Sequence, residues 1–342
     1  MANPIDGFVV DKADIAYVGA DLQRPECILA EPDGSLWSAD ARGGVVHIRP
    51  DGSQRLVTQS LDSSFASSAD EETRFTEGTL PNGLAFDADG SILISNFGTD
   101  RLERMTRDGE TSVLLDTIDG TPIGKVNFVL RDSRGRIWLT ISTRIRNWMR
   151  AISPNIADGY VAVLDENGAR IVADGFHFTN EIRFDASEEW LYVVETTARR
   201  ITRMRIGEAA QVTQREVFGP ADTGGFIDGI AFDSYGNLWG THVMSDRIFA
   251  LTPQGEMRII LDDDRPEPSQ RLYDAFARDA VTPELMLACG GEIAPWFASI
   301  TFGGPDLRNV HIGSLRGTRI PWFRSPVPGL PMAHWGRASG DR

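Results

Sequence analysis

One polar frame, written five times along the chain, constrains the fold more than any other feature of the sequence. In "PECILAEPDGSLWSAD", "LPNGLAFDADGSILISN", "GKVNFVLRDSRGRIWLTI" and "FIDGIAFDSYGNLWGTH" a polar anchor comes first: Glu26, Asn82, Asn127 and Asp228. An acid follows five residues later (Glu31, Asp87, Asp132, Asp233) and a glycine eight residues after the anchor (Gly34, Gly90, Gly135, Gly236). An apolar pair closes each frame: Leu36-Trp37, Ile92-Leu93, Ile137-Trp138 and Leu238-Trp239. "FTNEIRFDASEEWLYVVET" is a fifth copy, with Asn180 as anchor, Asp185 five residues on, and one extra residue before Leu191-Tyr192.

Successive anchors lie 56, 45, 53 and 48 residues apart. Most copies are followed by a second alternating run ending in a turn such as "RPDGS", "TRDGE", "DENGA" or "TPQGE". Each unit therefore holds about four short strands, and four antiparallel strands at a period of ~40–50 residues describe a propeller blade. "ASITFGGPDLRNVHIGSL" is a weaker sixth unit that lacks the polar anchor, and the N-terminal "GFVVDKADIAYVG" can complete it. The expectation is an all-β, six-bladed β-propeller with four antiparallel strands per blade. Its ring is closed by N- and C-terminal strands, in one domain over residues 1–342. The best helix candidate, "PSQRLYDAFARDAV" (268–281), falls in an insertion between the fifth and sixth units, and "DSSFASSADEETR" (62–74) reads as a polar surface loop.

Composition narrows the partners. A chain of 342 residues that is 41% hydrophobic can bury a large core. A formal charge of −15 without any basic stripe argues against nucleic acid and anionic membranes. No apolar run approaches the ~20 residues that span a bilayer. Cys27 and Cys289 make no disulfide framework, and the start "MANPIDGFVVDKAD" lacks signal-peptide character. A soluble cytoplasmic protein acting on a small molecule is the expectation.

Within the frame, the acid and the glycine three residues later make an Asp-x-x-Gly hairpin turn, a structural role. The tryptophans recur at one register and read as packing between blades. The anchors differ in kind. The ring brings two carboxylates and three amides toward one end of the central channel, where buried charge needs compensation that a cation supplies best. The alternative is that each anchor bonds its own turn or a channel water. No nucleophile elbow, P-loop, dinucleotide fingerprint or His-Glu-x-x-His motif occurs. Among the scattered histidines, His177 and His242 stand nearest the anchors in register.

The frame, together with "FGGPDLRNVHIGS" and the closing "VPGLP", resembles the senescence marker protein/gluconolactonase/luciferin-regenerating-enzyme family of six-bladed propellers. The resemblance implies lactone hydrolysis around one divalent metal on the channel axis. It implies Glu26, Asn180 and Asp228 as ligands, Asn127 as a fourth, and Asp228 as general base. An all-oxygen donor set suits Ca²⁺ first, with Mg²⁺, Mn²⁺ or Zn²⁺ as alternatives. Three motifs depart from the family pattern: Glu26-Cys27-Ile28 for Glu-Gly-Pro, Asn127-Phe128 for Asn-Asp, and Asn180-Glu181 for Asn-Gly.

The substrate is expected to meet Asn82, Asn127, Phe128, Trp148, His177 and Phe178. With Phe97, Met149, Phe176 and Phe226 near the anchors, that set predicts a pocket for a lactone more hydrophobic than a sugar lactone. Arg144 and Arg146 are the arginines expected nearby. Two other functions fit the same frame: a lyase, isomerase or condensing enzyme reusing the pocket, or a ligand-binding propeller without catalysis.

Overall fold

The computed structural model describes residues 2–61 and 78–335, so the polar run 62–74 lies outside the described residues. Six four-stranded antiparallel sheets follow one another along the chain. Their innermost strands are Ile28–Ala30, Pro81–Phe86, Val126–Arg131, Thr179–Phe184, Phe226–Phe232 and Phe297–Gly303. Each touches the next, and the last touches the first, so the blades form a ring. The sixth blade is completed by the N-terminal strand Ala16–Val18, which pairs antiparallel with Ile320–Arg324. Both the six-bladed architecture and its closure by the two ends of the chain follow the sequence expectation.

Burial explains the repeating pattern. Every residue of the innermost strands Pro81–Phe86, Thr179–Phe184, Phe226–Phe232 and Phe297–Gly303 is buried, whereas the outermost strand Val212–Phe218 is mostly exposed. Inner strands covered on both faces read as continuous apolar runs, and outer strands alternate. The hairpin glycines of the frame, Gly34, Gly90, Gly135 and Gly236, take φ of +85° to +95°. Blade four, with its extra residue, places Glu188 there at φ +54°.

The acid and the tryptophan of the frame are one unit. In blades one, three and five the carboxylate accepts the indole Nε1–H six residues later: Glu31 from Trp37 at 2.7 Å, and Asp132 from Trp138 and Asp233 from Trp239 at 2.9 Å. Glu31, the one glutamate in the set, also takes a two-pronged ion pair from Arg107 of the second blade at 2.9 and 3.0 Å. The indoles pack against the following blade as well, Trp138 on Phe184 and Trp239 on Phe302. The carboxylate thus satisfies the polar edge of a ring whose apolar body fills the gap between blades.

The insertion between blades five and six carries helix α1 (Pro266–Ala277) and helix α2 (Pro283–Leu287). Proline in the first turn and the Glu267–Arg271 pair at 2.6 Å favour α1, and Leu272, Ala275 and Phe276 form its buried face. It starts two residues before the expected helix and ends at Ala277, shortly before Asp279 turns to φ +55°. The short α2 is not visible in the periodicity.

Two histidines lie wholly inside the blades. Burial pulls His242 down to about 3, with Arg247 and Arg199 adding to the shift, and burial pulls His311 down to about 4. In the unfolded chain each takes up a proton near pH 6.5 that the folded protein refuses. Their stabilisation is therefore complete above pH 6.5 and drains away as pH falls toward those values. We expect each to contribute up to about 1.4 kcal/mol of lost stability per pH unit across that window. A His242→Gln/His311→Gln protein should show a shallower acid limb in denaturant titrations at pH 6.5 and 4.5, and an unchanged limb would refute the assignment.

Candidate functional site

The innermost strands enter the channel through a recurring irregularity. Their pairing registers jump between Pro81 and Leu84, Val126 and Phe128, Thr179 and Ile182, Ile227 and Ile230, and Phe297 and Ile300. Asn82, Asn127, Asn180 and Asp228 all fall inside these bulges, and Glu26 lies just before the innermost strand of blade one. A bulge re-aims a side chain that a regular strand would send into the sheet packing. Polar residues can therefore stand at the start of apolar strands. In the sixth blade the same register holds Ala298.

Glu26, Asn82, Asn127, Asn180 and Asp228 line one cavity of about 60 Å³, together with Arg24, Phe97, Trp148, Phe178, Trp296 and Leu315. The cavity is open at its rim, so its polar floor can seat an ion and a few waters while a ligand lies across the mouth. Glu26 Oε1 accepts Asn82 Nδ2 at 3.1 Å, and the same Nδ2 donates to the Asn127 carbonyl at 2.9 Å. Asn82 Oδ1 accepts Arg24 Nη2 at 2.6 Å, so this amide turns its N–H groups, not its oxygen, toward Glu26. Asn180 Nδ2 donates to Thr196 Oγ1 at 3.2 Å.

Three oxygens are left over. Glu26 Oε2, Asn127 Oδ1 and Asn180 Oδ1 are buried with no hydrogen-bond partner among the described residues. Burial and the nearby Asp228 push Glu26 well above the ordinary carboxylate range, with Arg24 opposing. Burial and Glu181 push Asp228 up to about 7, while Arg24 and a hydrogen bond from Asn180 pull it back. Two carboxylates against one guanidinium leave an excess of negative charge in a dry site. A hard divalent cation fits that donor set. Among the described residues no group of three or more His, Cys, Asp or Glu is arranged to hold a metal, so the set depends on its amides.

Aromatic residues form the rim. Trp148 opens a short 3₁₀ turn (Trp148–Ala151) and stands edge-on to Phe97 at 5.9 Å, with Phe178 6.2 Å away. Behind them, Phe226, Leu272, Phe276, Met286 and Trp296 join one apolar cluster that seats α1 and α2 beside the cavity, and Met149 packs against it.

Several expected positions lie elsewhere. Phe128 is fully buried in the channel core beneath the anchors, under the Arg183 guanidinium at 4.5 Å, and is not on the cavity wall. The residue after an anchor points down the channel, where Glu181 pairs with Arg183 at 3.1 Å and accepts Ile230 N–H at 3.1 Å. The substitutions Asn127-Phe128 and Asn180-Glu181 thus belong to one buried Phe128–Arg183–Glu181 stack. His177 is half-buried off the cavity, with its backbone N–H on Glu195, and His242 bonds Thr223 inside its blade. Phe176 lies under Arg215, and Arg144 covers Tyr160.

Sequence reasoning missed Arg24, Trp296 and Leu315. Two of them share a register: Arg24, Leu80, Lys125, Phe178, Phe226 and Trp296 stand two residues before the anchor of successive blades. Arg24, Phe178 and Trp296 hold φ of +55°, +52° and +65°, a costly conformation for side-chain-bearing residues, and all three line the cavity. Counting two back from each anchor would have found this second ring.

A family model described as the SMP-30/Gluconolactonase/LRE-like region matches residues 66–262, more than half of the chain. The protein belongs to this family. Over 156 residues it is 26% identical to a 6-deoxy-6-sulfogluconolactonase of Pseudomonas putida, covering 45% of this chain and 44% of that protein. The match thus spans less than half of the curated relative's length. Among solved structures it is similar to a gluconolactonase from Xanthomonas campestris, at 18% identity and TM-score 0.64, over 94% of each chain. It is also similar to a calcium-binding protein, regucalcin, from Agrobacterium tumefaciens, at 15% identity and TM-score 0.63, over 92% of this chain and 96% of that one. The two structural likenesses concern the fold. No described helix is long and apolar enough to cross a membrane.

Proposed function

We propose that the chain, acting as one propeller domain, is a lactonase-type hydrolase that opens a relatively hydrophobic cyclic ester at the anchor cavity with the help of one divalent cation. The observation that carries this reading is the convergence of Glu26, Asn127, Asn180 and Asp228, three of them with an unpartnered buried oxygen, in a single cavity. These residues would hold the ion, Ca²⁺ in the first instance with Mg²⁺, Mn²⁺ or Zn²⁺ as alternatives. When bound, it supplies polarisation of the ring carbonyl.

The remaining work falls to the chain. Asp228 takes the proton of the attacking water and returns it to the ring oxygen as the ester opens. Glu26 contributes the second negative charge, and Asn82 holds it in place. Asn127 and Asn180, from the two blades that precede that of Asp228, add neutral oxygens to the same cavity. Phe97, Trp148 and Phe178 keep bulk water from the cavity and offer the ring an apolar wall.

That wall sets the substrate class. Covering about 60 Å² of apolar substrate surface gains about 1.5 kcal/mol, or roughly tenfold, and stranded sugar hydroxyls cost more. We expect kcat/KM for an alkyl- or aryl-substituted lactone to exceed that for glucono-lactone by about tenfold or more, and Trp148→Ala to narrow the gap. Proton release across a lactone panel measures this, and product masses that gain one water distinguish hydrolysis from elimination. Efficient opening of glucono-lactone with none of the hydrophobic lactones would overturn the substrate class and leave the metal set standing.

A further inference from the structure

We infer that Arg24 is a catalytic residue whose guanidinium binds the carbonyl oxygen of the substrate as negative charge develops there; the inference rests on the lactonase reading above. Arg24 lines the cavity with Glu26 and Asp228, yet its hydrogen bonds go to neutral acceptors. Nη1 donates to the Pro81 carbonyl at 3.2 Å and Nη2 to Asn82 Oδ1 at 2.6 Å. Its Nε–H is buried with no partner among the described residues. An arginine present only to neutralise the carboxylates would form the two-pronged pair that Arg107 makes with Glu31. Arg24 instead keeps one donor in reserve, and its backbone sits at φ +55° to place it there.

A fixed, buried guanidinium that is hydrogen-bonded only to neutral acceptors and keeps a donor unused is arranged for an oxyanion. Arg24 shares this cavity with Glu26 and Asp228, so an ester held by the anchors is the group its guanidinium would meet. The step balances as follows. Water oxygen bonds to the carbonyl carbon, its proton passes to Asp228, and the C=O π pair moves onto the oxygen that faces Arg24. Collapse of the tetrahedral species restores the C=O bond and breaks the ring C–O bond. The proton on Asp228 goes to the departing alkoxide, and the hydroxy acid that remains gives its carboxyl proton to solvent, leaving a carboxylate beside Arg24. The same residue therefore favours the transition state and slows product departure.

Arg24→Gly is the informative variant, because glycine adopts φ +55° without strain and the change leaves a guanidinium-sized void. Alongside the wild type it should be assayed with the best lactone of the panel, a cyclic phosphonate (a tetrahedral anion) and the matching cyclic ether. We expect kcat to fall on the order of 10²–10³-fold with KM changed by less than about threefold. Phosphonate affinity should fall by a similar factor, while ether affinity and metal content hold, and added guanidinium should restore part of kcat. Unchanged kcat, loss of the metal, or phosphonate and ether affinities falling together would overturn the inference. A wild-type protein that opens no lactone and ignores the phosphonate overturns the lactonase reading along with it.

Discussion

Glu26→Gln and Asp228→Asn should each release the divalent cation and abolish lactone opening at ordinary metal concentrations. Both carboxylates are buried, and their oxygens converge on the same cavity as the unpartnered amide oxygens. Removing one charge from a buried ionic arrangement costs about 3–5 kcal/mol, which converts to a loss of metal affinity on the order of 10²–10⁴-fold. Asn180→Ala and Asn127→Ala remove only a neutral oxygen, so their affinity losses should be nearer tenfold. Metal analysis after dialysis and titration back into chelated protein provide the two readouts. If both carboxylate variants keep stoichiometric metal at wild-type affinity, the ligand set is wrong, whatever happens to turnover.

The second large effect concerns the fold. Asp132→Ala should lower stability by about 3–5 kcal/mol, because it strips a buried indole N–H and a largely buried guanidinium of their shared acceptor. Asp132 accepts Trp138 Nε1 at 2.9 Å, Arg136 Nε at 2.6 Å and Arg136 backbone N–H at 2.9 Å. Asp185 occupies the same register in blade four, where Tyr192 replaces the tryptophan, and its contacts are local ones with Ser187 and the Trp190 N–H. Asp185→Ala should therefore cost only about 1 kcal/mol. Denaturant unfolding separates the two. Metal content and kcat/KM of the folded Asp132→Ala protein should match wild type, and a folded but inactive variant would mean that the functional register lies five residues from the anchors.

How much of this was legible depended on whether a position repeated its chemistry or only its place. Anchors, turn acids and glycines recur as residue types, and they located the blades, the bulged polar positions and the cavity. The ring two residues earlier recurs only in register, as Arg24, Leu80, Lys125, Phe178, Phe226 and Trp296, so no motif exposes it. The indole–carboxylate pairs were visible as a six-residue spacing, but packing and turn roles were assigned to their members separately. Phe128 misled because it was placed by its position next to Asn127 in the motif, whereas the bulge sends the residue after the anchor away from the cavity. Glu181 looked like a disruption of the site until its pairing with Arg183, two residues on in the same strand, showed that it belongs to the buried stack below the anchors.

The chain's last described stretch shapes the traffic through the molecule. Residues 329–335 cross the end of the channel opposite the anchors. There Gly329 bridges Asp233, Leu330 N–H bonds the Phe232 carbonyl, and His334 Nε2 lies 2.8 Å from the Ala30 carbonyl. Met332 packs into the channel core. Beneath this strap a separate pocket remains, lined by Arg183, Phe184, Met332 and His334 and by none of the anchors. A ligand of the anchors is therefore expected to arrive and leave past Phe97, Trp148 and Phe178, which share their cavity. Turnover at high concentration should then depend on how fast that aromatic rim clears, which makes its side chains determinants of kcat as well as of binding.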